Sequence, residues 1–285
     1  MHTLFAPGLF ASAQVRTALA VGGVVAVVSA VVGVLTVVRG QSFAGHALTE
    51  SAATGGAGMY LAGVNPLVGF VAGAVAGAAS MQAVGVRNLR GRDLATGIVL
   101  GASIGLAALF LYLDTTVVAA TGATQQILFG SIFATAPGTV VLVAGFGAGA
   151  VLIVAVVARP LLLSSLDPDI AAARGVPVRL VAAAHMLALA LAVGLSSVAV
   201  GAILSTALLV GPAAAALRIT ARLGRAVAIA SAVGVGSTWA GVVLSYDSAT
   251  WFAGGNGIPV SSLIVGVVIV AYLATGTAVR LVPRR

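Results

Sequence analysis

The chain runs to 285 residues, 60% of them hydrophobic and 7% charged, with a mean hydropathy of +1.18. A soluble core of this length cannot bury so much apolar surface, so a water-soluble domain is excluded and an all-α, polytopic membrane protein is expected. The net charge of +8, carried by fourteen arginines and no lysine, punctuates the apolar runs instead of forming a stripe, which points to membrane topology and away from nucleic acid.

The apolar runs are built of Ala, Val, Leu and Gly without the strict alternation of a transmembrane barrel, so helices are expected. The first run, 17–38, is too long for a signal-peptide core and has no cleavage site after it; it reads as a retained span. With about 20 residues per crossing, spans fall at 17–38, 42–63, 66–86, 94–113, 138–157, 179–195, 198–217, 226–245 and 258–279, about nine crossings. An amino terminus outside then puts thirteen of the fourteen arginines inside and leaves only Arg16 outside. The opposite orientation would export nearly all of them.

The second span is the least hydrophobic, carrying His46, Thr49, Glu50, Ser51 and Thr54, so it is expected to face protein or water instead of lipid. Glycines at 69, 73 and 77, and again at 97, 101 and 105, give small-residue ladders that let helix backbones approach closely. Residues 115–137 are apolar but broken by Gly122, Gln125, Gln126, Gly130 and Pro137, which favours a re-entrant or interfacial helix over a full crossing. The inside segment 164–179 has a design of its own. Asp167 can cap a short helix with Pro168 in its first turn, Asp169 favours the amino-terminal dipole, and Gly175 with Pro177 ends it. That helix is either a capped connector or a docking element for a cytoplasmic partner.

Glu50 is the sole glutamate, and it lies one helical turn after His46 on the same face. A charge at the bilayer centre costs roughly 2.5–3.5 kcal/mol on insertion scales, so such a pair inside an oily chain is a functional candidate. An imidazole with a carboxylate suits Zn(II), Mn(II) or Fe(II), and two ligands per chain make a transient site better than a storage site. Two such pairs facing each other in a dimer would supply four ligands. The other reading is a hydrogen bond between helices that satisfies both groups. There is no cysteine, which removes thiolate sites and disulfides. His185 stands without an ionisable neighbour in sequence and reads as a core histidine. Asp114, at the outer end of its span, is a solvated cap or an acid that attracts cations at an outer mouth. Tyr246, Asp247, Trp251 and Phe252 in the loop 246–259 either contact an outer partner or anchor the chain at the interface. Pro212 is expected to kink the seventh span.

Taken together, several motifs resemble the membrane permease of the zinc/manganese class of ABC importers, along nearly the whole chain. They are Arg39-Gly40 closing the first span, Gly45-His46-Ala47-Leu48-Thr49-Glu50, Leu128-Phe129-Gly130-Ser131-Ile132, Leu166-Asp167-Pro168-Asp169-Ile170-Ala171 running into Gly175-Val176-Pro177, and Val200-Gly201-Ala202-Ile203-Leu204 leading to Gly211-Pro212-Ala213. The resemblance implies a single transmembrane permease domain over 1–285 that works with a second copy of itself in the bilayer. It implies a dimer of separate ABC ATPase subunits on the cytoplasmic face and an extracytoplasmic metal-binding protein. It further implies that Asp167, Pro168, Asp169, Ala171 and Gly175 belong to a coupling helix seated in the ATPase. The second helix of the family often reads Gly-Asp-Ala-Leu-Ser-His; here the carboxylate and the imidazole have traded places.

The function expected is therefore import of a divalent transition-metal ion (zinc, manganese or iron) across the plasma membrane, with the metal as substrate and no permanently bound cofactor. The chain itself is expected to catalyse no reaction. The competing readings are a permease for a metal chelate or vitamin, an ATP-independent transporter, and an intramembrane hydrolase. The last lacks an H-E-x-x-H motif or a nucleophile elbow.

Overall fold

The computed structural model describes residues 11–84, 89–118, 122–130, 132–248, 251 and 257–281, and every regular element among them is helical. In chain order these are α1 (Ala13–Val38), α2 (Ser42–Leu61), α3 (Pro66–Val84), α4 (Leu89–Thr116), α5 (Ala123–Phe129), a 3₁₀ turn (Ile132–Ala134), α6 (Thr139–Leu166), α7 (Pro168–Ala173), α8 (Val178–Val200), α9 (Ala202–Ile219), α10 (Leu223–Ser248) and α11 (Val260–Leu281). Among the described residues, eight helices are long and apolar enough to cross a membrane. The remaining long helix, α2, has 20 residues, enough for about 30 Å at 1.5 Å per residue. Its sequence is more polar because α3, α4, α8 and α9 pack around it, so it needs little lipid-compatible surface.

Several boundaries differ from those expected of the sequence. α6 continues through Pro160 to Leu166, well past residue 157, because Leu161 and Leu162 extend its apolar run. α8 and α9 are parted at Gly201, not near 195–198. Gly201 has φ 83 and ψ 166, and Gly130 has φ 74 and ψ 173, a region that essentially only glycine occupies. The two meet: a Cβ on Gly201 would strike the Leu128 carbonyl and the Gly130 nitrogen, and one on Gly130 would lie 2.5 Å from the Gly201 nitrogen. The end of α5 is thereby seated backbone to backbone on the α8–α9 junction. At seven residues, α5 reaches only about 10 Å and cannot cross, as its interruptions predict.

The glycine ladder at 69, 73 and 77 does bring helices together. Any Cβ at Gly69 or Gly73 would enter the backbone of α2 at Gly55 and Ser51, and one at Gly77 would meet the Ser51 side chain. The second ladder does not act in this way. Gly97, Gly101 and Gly105 meet no atom within 4 Å among the described residues, because α4 turns Ser103, on its other side, toward α2. In the core, the Ser29 and Ser196 hydroxyls pair at 2.7 Å between α1 and α8.

The short helix α7 forms as its residues predict. The Asp167 carboxylate accepts from the Asp169 and Ile170 amides, both at 2.9 Å, with Pro168 at the first turn. Its far end closes with Gly175 N–H donating to the Ala172 carbonyl at 2.9 Å and Val176 N–H to the Ala171 carbonyl at 3.0 Å, the paired bonds of a Schellman motif. Ala171 is buried beneath it while Asp169 and Ile170 are exposed.

Candidate functional site

On α2 the residues turned fully inward are Ala44, Ala47, Leu48, Ser51 and Ala52 among others, while His46, Glu50 and Thr54 are only half-buried. These three recur every fourth residue, so they line up as one polar stripe along the helix. α4 borders it on one side, where Thr54 Oγ1 donates to the Ser103 carbonyl at 2.8 Å. α9 borders it on the other, where Thr206 Oγ1 lies 3.4 Å from His46 Nδ1. The structure thus places the sequence-predicted pair together on an open stripe between two helices, and the Glu50 carboxylate lies within electrostatic reach of the imidazole.

Behind the stripe runs a chain of hydroxyls. Thr49 Oγ1 donates to the Gly45 carbonyl at 3.0 Å, lies 3.2 Å from Thr206 Oγ1, and accepts from Ser205 Oγ at 3.1 Å. Hydrogen bonds of this kind hold transmembrane helices in register. Sequence reasoning missed Ser205 and Thr206. The available signal was a pair of adjacent hydroxyls inside the apolar run of α9, but nothing local tied them to His46, which lies 160 positions away.

Among the described residues, no group of three or more His, Asp or Glu side chains is close enough to hold a metal ion. The pair His46 and Glu50 thus has no third such side chain beside it among the described residues, and a closed tetrahedral site would need four ligands.

The other candidates are spread apart. His185 is 1% exposed, and neither ring nitrogen has a hydrogen-bond partner among the described residues. Asp114 and Asp247 are both 0% exposed. A solvated cap at Asp114 is thereby corrected: its carboxylate is enclosed at the end of α4. α10 continues through Ser248, past the expected loop start at 246, so Tyr246 and Asp247 are helical; Asp247 is enclosed there, and Ser245 and Ser248 hydrogen-bond to Ile258 at 2.7 and 2.8 Å, holding the end of α10 to the approach to α11. Trp251 is exposed; Phe252 lies outside the described residues. Pro212 is buried inside α9, where its missing N–H leaves the Leu208 carbonyl without a helical donor.

Arg39, in the turn between α1 and α2, is a topology marker and part of the Arg39-Gly40 motif in the sequence; the structure adds its contacts. Its guanidinium donates to the Leu161 carbonyl at 3.0 Å, to Ser165 Oγ at 2.6 Å and to Gln41 Oε1 at 3.3 Å. It ties the base of α2 to the end of α6, next to the start of α7.

Residues 12–279 match the family described as the ABC 3 transport family. The chain is 30% identical over 251 residues to the manganese transport system membrane protein MntC of Halalkalibacterium halodurans, covering 87% of this chain and 85% of that one. It is 26% identical to the manganese import system permease protein ScaB of Streptococcus gordonii, covering 92% of each. Among solved structures, PsaBC from Streptococcus pneumoniae in complex with Fab superposes with a TM-score of 0.78 at 25% identity, over 94% of this chain and 92% of that one.

Proposed function

The chain belongs to the ABC 3 transport family, as the membrane permease of a metal-ion ABC importer, and on that premise we propose that its cargo is Mn(II), bound in passing by His46 and Glu50. The observation that carries the proposal is the stripe on α2. An imidazole and the sole glutamate stand half-buried and one turn apart on α2, with the residues between them, Ala47, Leu48 and Thr49, buried. An ionisable pair held in a membrane bundle marks an ion path. Imidazole and carboxylate oxygen suit Mn(II), the weakest binder of its row, and brief binding is what conduction requires. The manganese named for the MntC and ScaB relatives supports this choice over zinc or iron.

In this reading a second copy of the chain brings its own His46 and Glu50 to the stripe, completing a four-ligand site. A pair of cytoplasmic ABC ATPases seats on α7 through Asp167, Pro168, Asp169, Ala171 and Gly175, and an extracytoplasmic binding protein delivers the ion from the side of the 246–259 loop. The protein lies in the plasma membrane with its amino terminus outside, and Asp114 and Asp247 bias the field at the outer end. Uptake of manganese measured by elemental analysis of cells is the test. His46→Ala and Glu50→Gln are each expected to abolish chain-dependent accumulation while the assembled transporter is still recovered; accumulation at the original level in either variant removes the pair from the path.

A further inference from the structure

We infer that Thr206 is a positioning residue that holds His46 in the tautomer with its proton on Nδ1, so that Nε2 is the nitrogen offered to the cation. The inference rests on the His46–Glu50 site proposed above and deepens it. Its basis is the order of donors and acceptors along the hydroxyl chain. Thr49 has one hydroxyl proton, and the Gly45 carbonyl 3.0 Å away can only accept. With that proton committed, the Thr49 oxygen is left to accept, and Ser205 Oγ lies 3.1 Å away, its one proton shared between that oxygen and the Ala202 carbonyl at 3.3 Å. Thr206, 3.2 Å away on the same oxygen, then serves as donor toward Thr49. Its own oxygen is thereby turned to the imidazole, where Nδ1 lies 3.4 Å off.

Only a protonated Nδ1 completes that sequence. A neutral imidazole carries one N–H and one lone pair, so the lone pair must sit on Nε2. Each link fixes the next: Gly45 carbonyl, Thr49, Thr206, His46. The contact at His46 is long for an N–H to oxygen bond. Partners of this kind, which orient a metal-binding histidine through its other nitrogen, typically change metal affinity 10–100-fold when removed. The sequence Ser205-Thr206 therefore belongs to the ion site although neither side chain need touch the ion.

Three histidines in the whole chain make the test direct. Ring-nitrogen NMR of the metal-free transporter, purified with its ATPase and labelled at histidine, is assigned by loss of the His46 signals in His46→Ala. The expected result is one His46 tautomer protonated at Nδ1 in the parent and in Thr206→Ser, and its loss in Thr206→Val, which keeps the shape but removes the hydroxyl. Binding of Mn(II) alone to the same samples is expected to weaken about 10–100-fold in Thr206→Val and to recover in Thr206→Ser. An Nε2-protonated His46 in the parent, or unchanged Mn(II) affinity in Thr206→Val, overturns the role of Thr206. Unchanged Mn(II) affinity in His46→Ala is a separate failure, because it removes the site itself.

Discussion

At the scale of single residues, the groups that stand out in the amino-acid string are those whose chemistry is out of place. Glu50 is conspicuous as the only glutamate of an oily chain, and His46 by its distance of one turn. Their placement on one half-buried stripe follows from helical periodicity alone. Thr206 and Arg39 were not legible in the same way, because their roles depend on partners 160 and 122 positions away. A pattern confined to one window carries no trace of such contacts. Asp114 failed for a related reason: a carboxylate at a span end reads as solvated until the fold encloses it. Gly201 is a residue at which backbone conformation and close approach both oppose replacement. Its φ of 83 and ψ of 166 cost an L-residue about 1–3 kcal/mol, before any collision with the Leu128 carbonyl is counted. Gly201→Ala is expected to lower the thermal unfolding midpoint of the detergent-purified protein by several degrees. An unchanged midpoint would show that the junction relaxes freely.

At the scale of elements, the long helices were legible because apolar runs of spanning length leave few alternatives in a bilayer. Their ends were less so. Pro160 lies inside α6 without stopping it, and the α8–α9 break sits at a backbone conformation and not at a change of polarity. The best read element was the shortest α-helix. Helix α7 announces itself through Asp167-Pro168 and Gly175, and its cap bonds form as those residues predict. Loss of a cap costs about 0.5–2 kcal/mol, a large share of what a six-residue helix can hold. Asp167→Ala is therefore expected to fray α7 and to reduce recovery of the ATPase with the permease, whereas Asp167→Asn, which keeps an accepting oxygen, restores it. Full recovery and normal uptake in Asp167→Ala would end the case for α7 as the docking helix. Loosening of α7 should also be felt at α2, since Arg39 holds the α1–α2 turn to Leu161 and Ser165 just before it.

At the scale of the whole molecule, composition alone was enough to place the chain in a membrane, and the distribution of arginine predicts an orientation. The order of motifs along the chain pointed to the family that residues 12–279 match. Among the described residues, one chain displays no group of three or more His, Asp or Glu side chains able to hold a metal ion. The orientation is checked most simply because the chain has no cysteine. A single Gly257→Cys, in the exposed stretch before α11, is expected to react with a membrane-impermeant maleimide in intact cells. Reaction only after permeabilisation would turn the topology over.

The crossing of Gly130 and Gly201 bears on how such a molecule can move. Two backbones in direct touch have no side chain between them to yield, so α5 and the root of α9 are mechanically a single joint. Thr206 stands little more than one turn above that joint. A tilt of α9 large enough to pull its hydroxyl away from His46 must therefore shift α5 as well, so that the contact at His46 and the seat of the short helix become two ends of one lever.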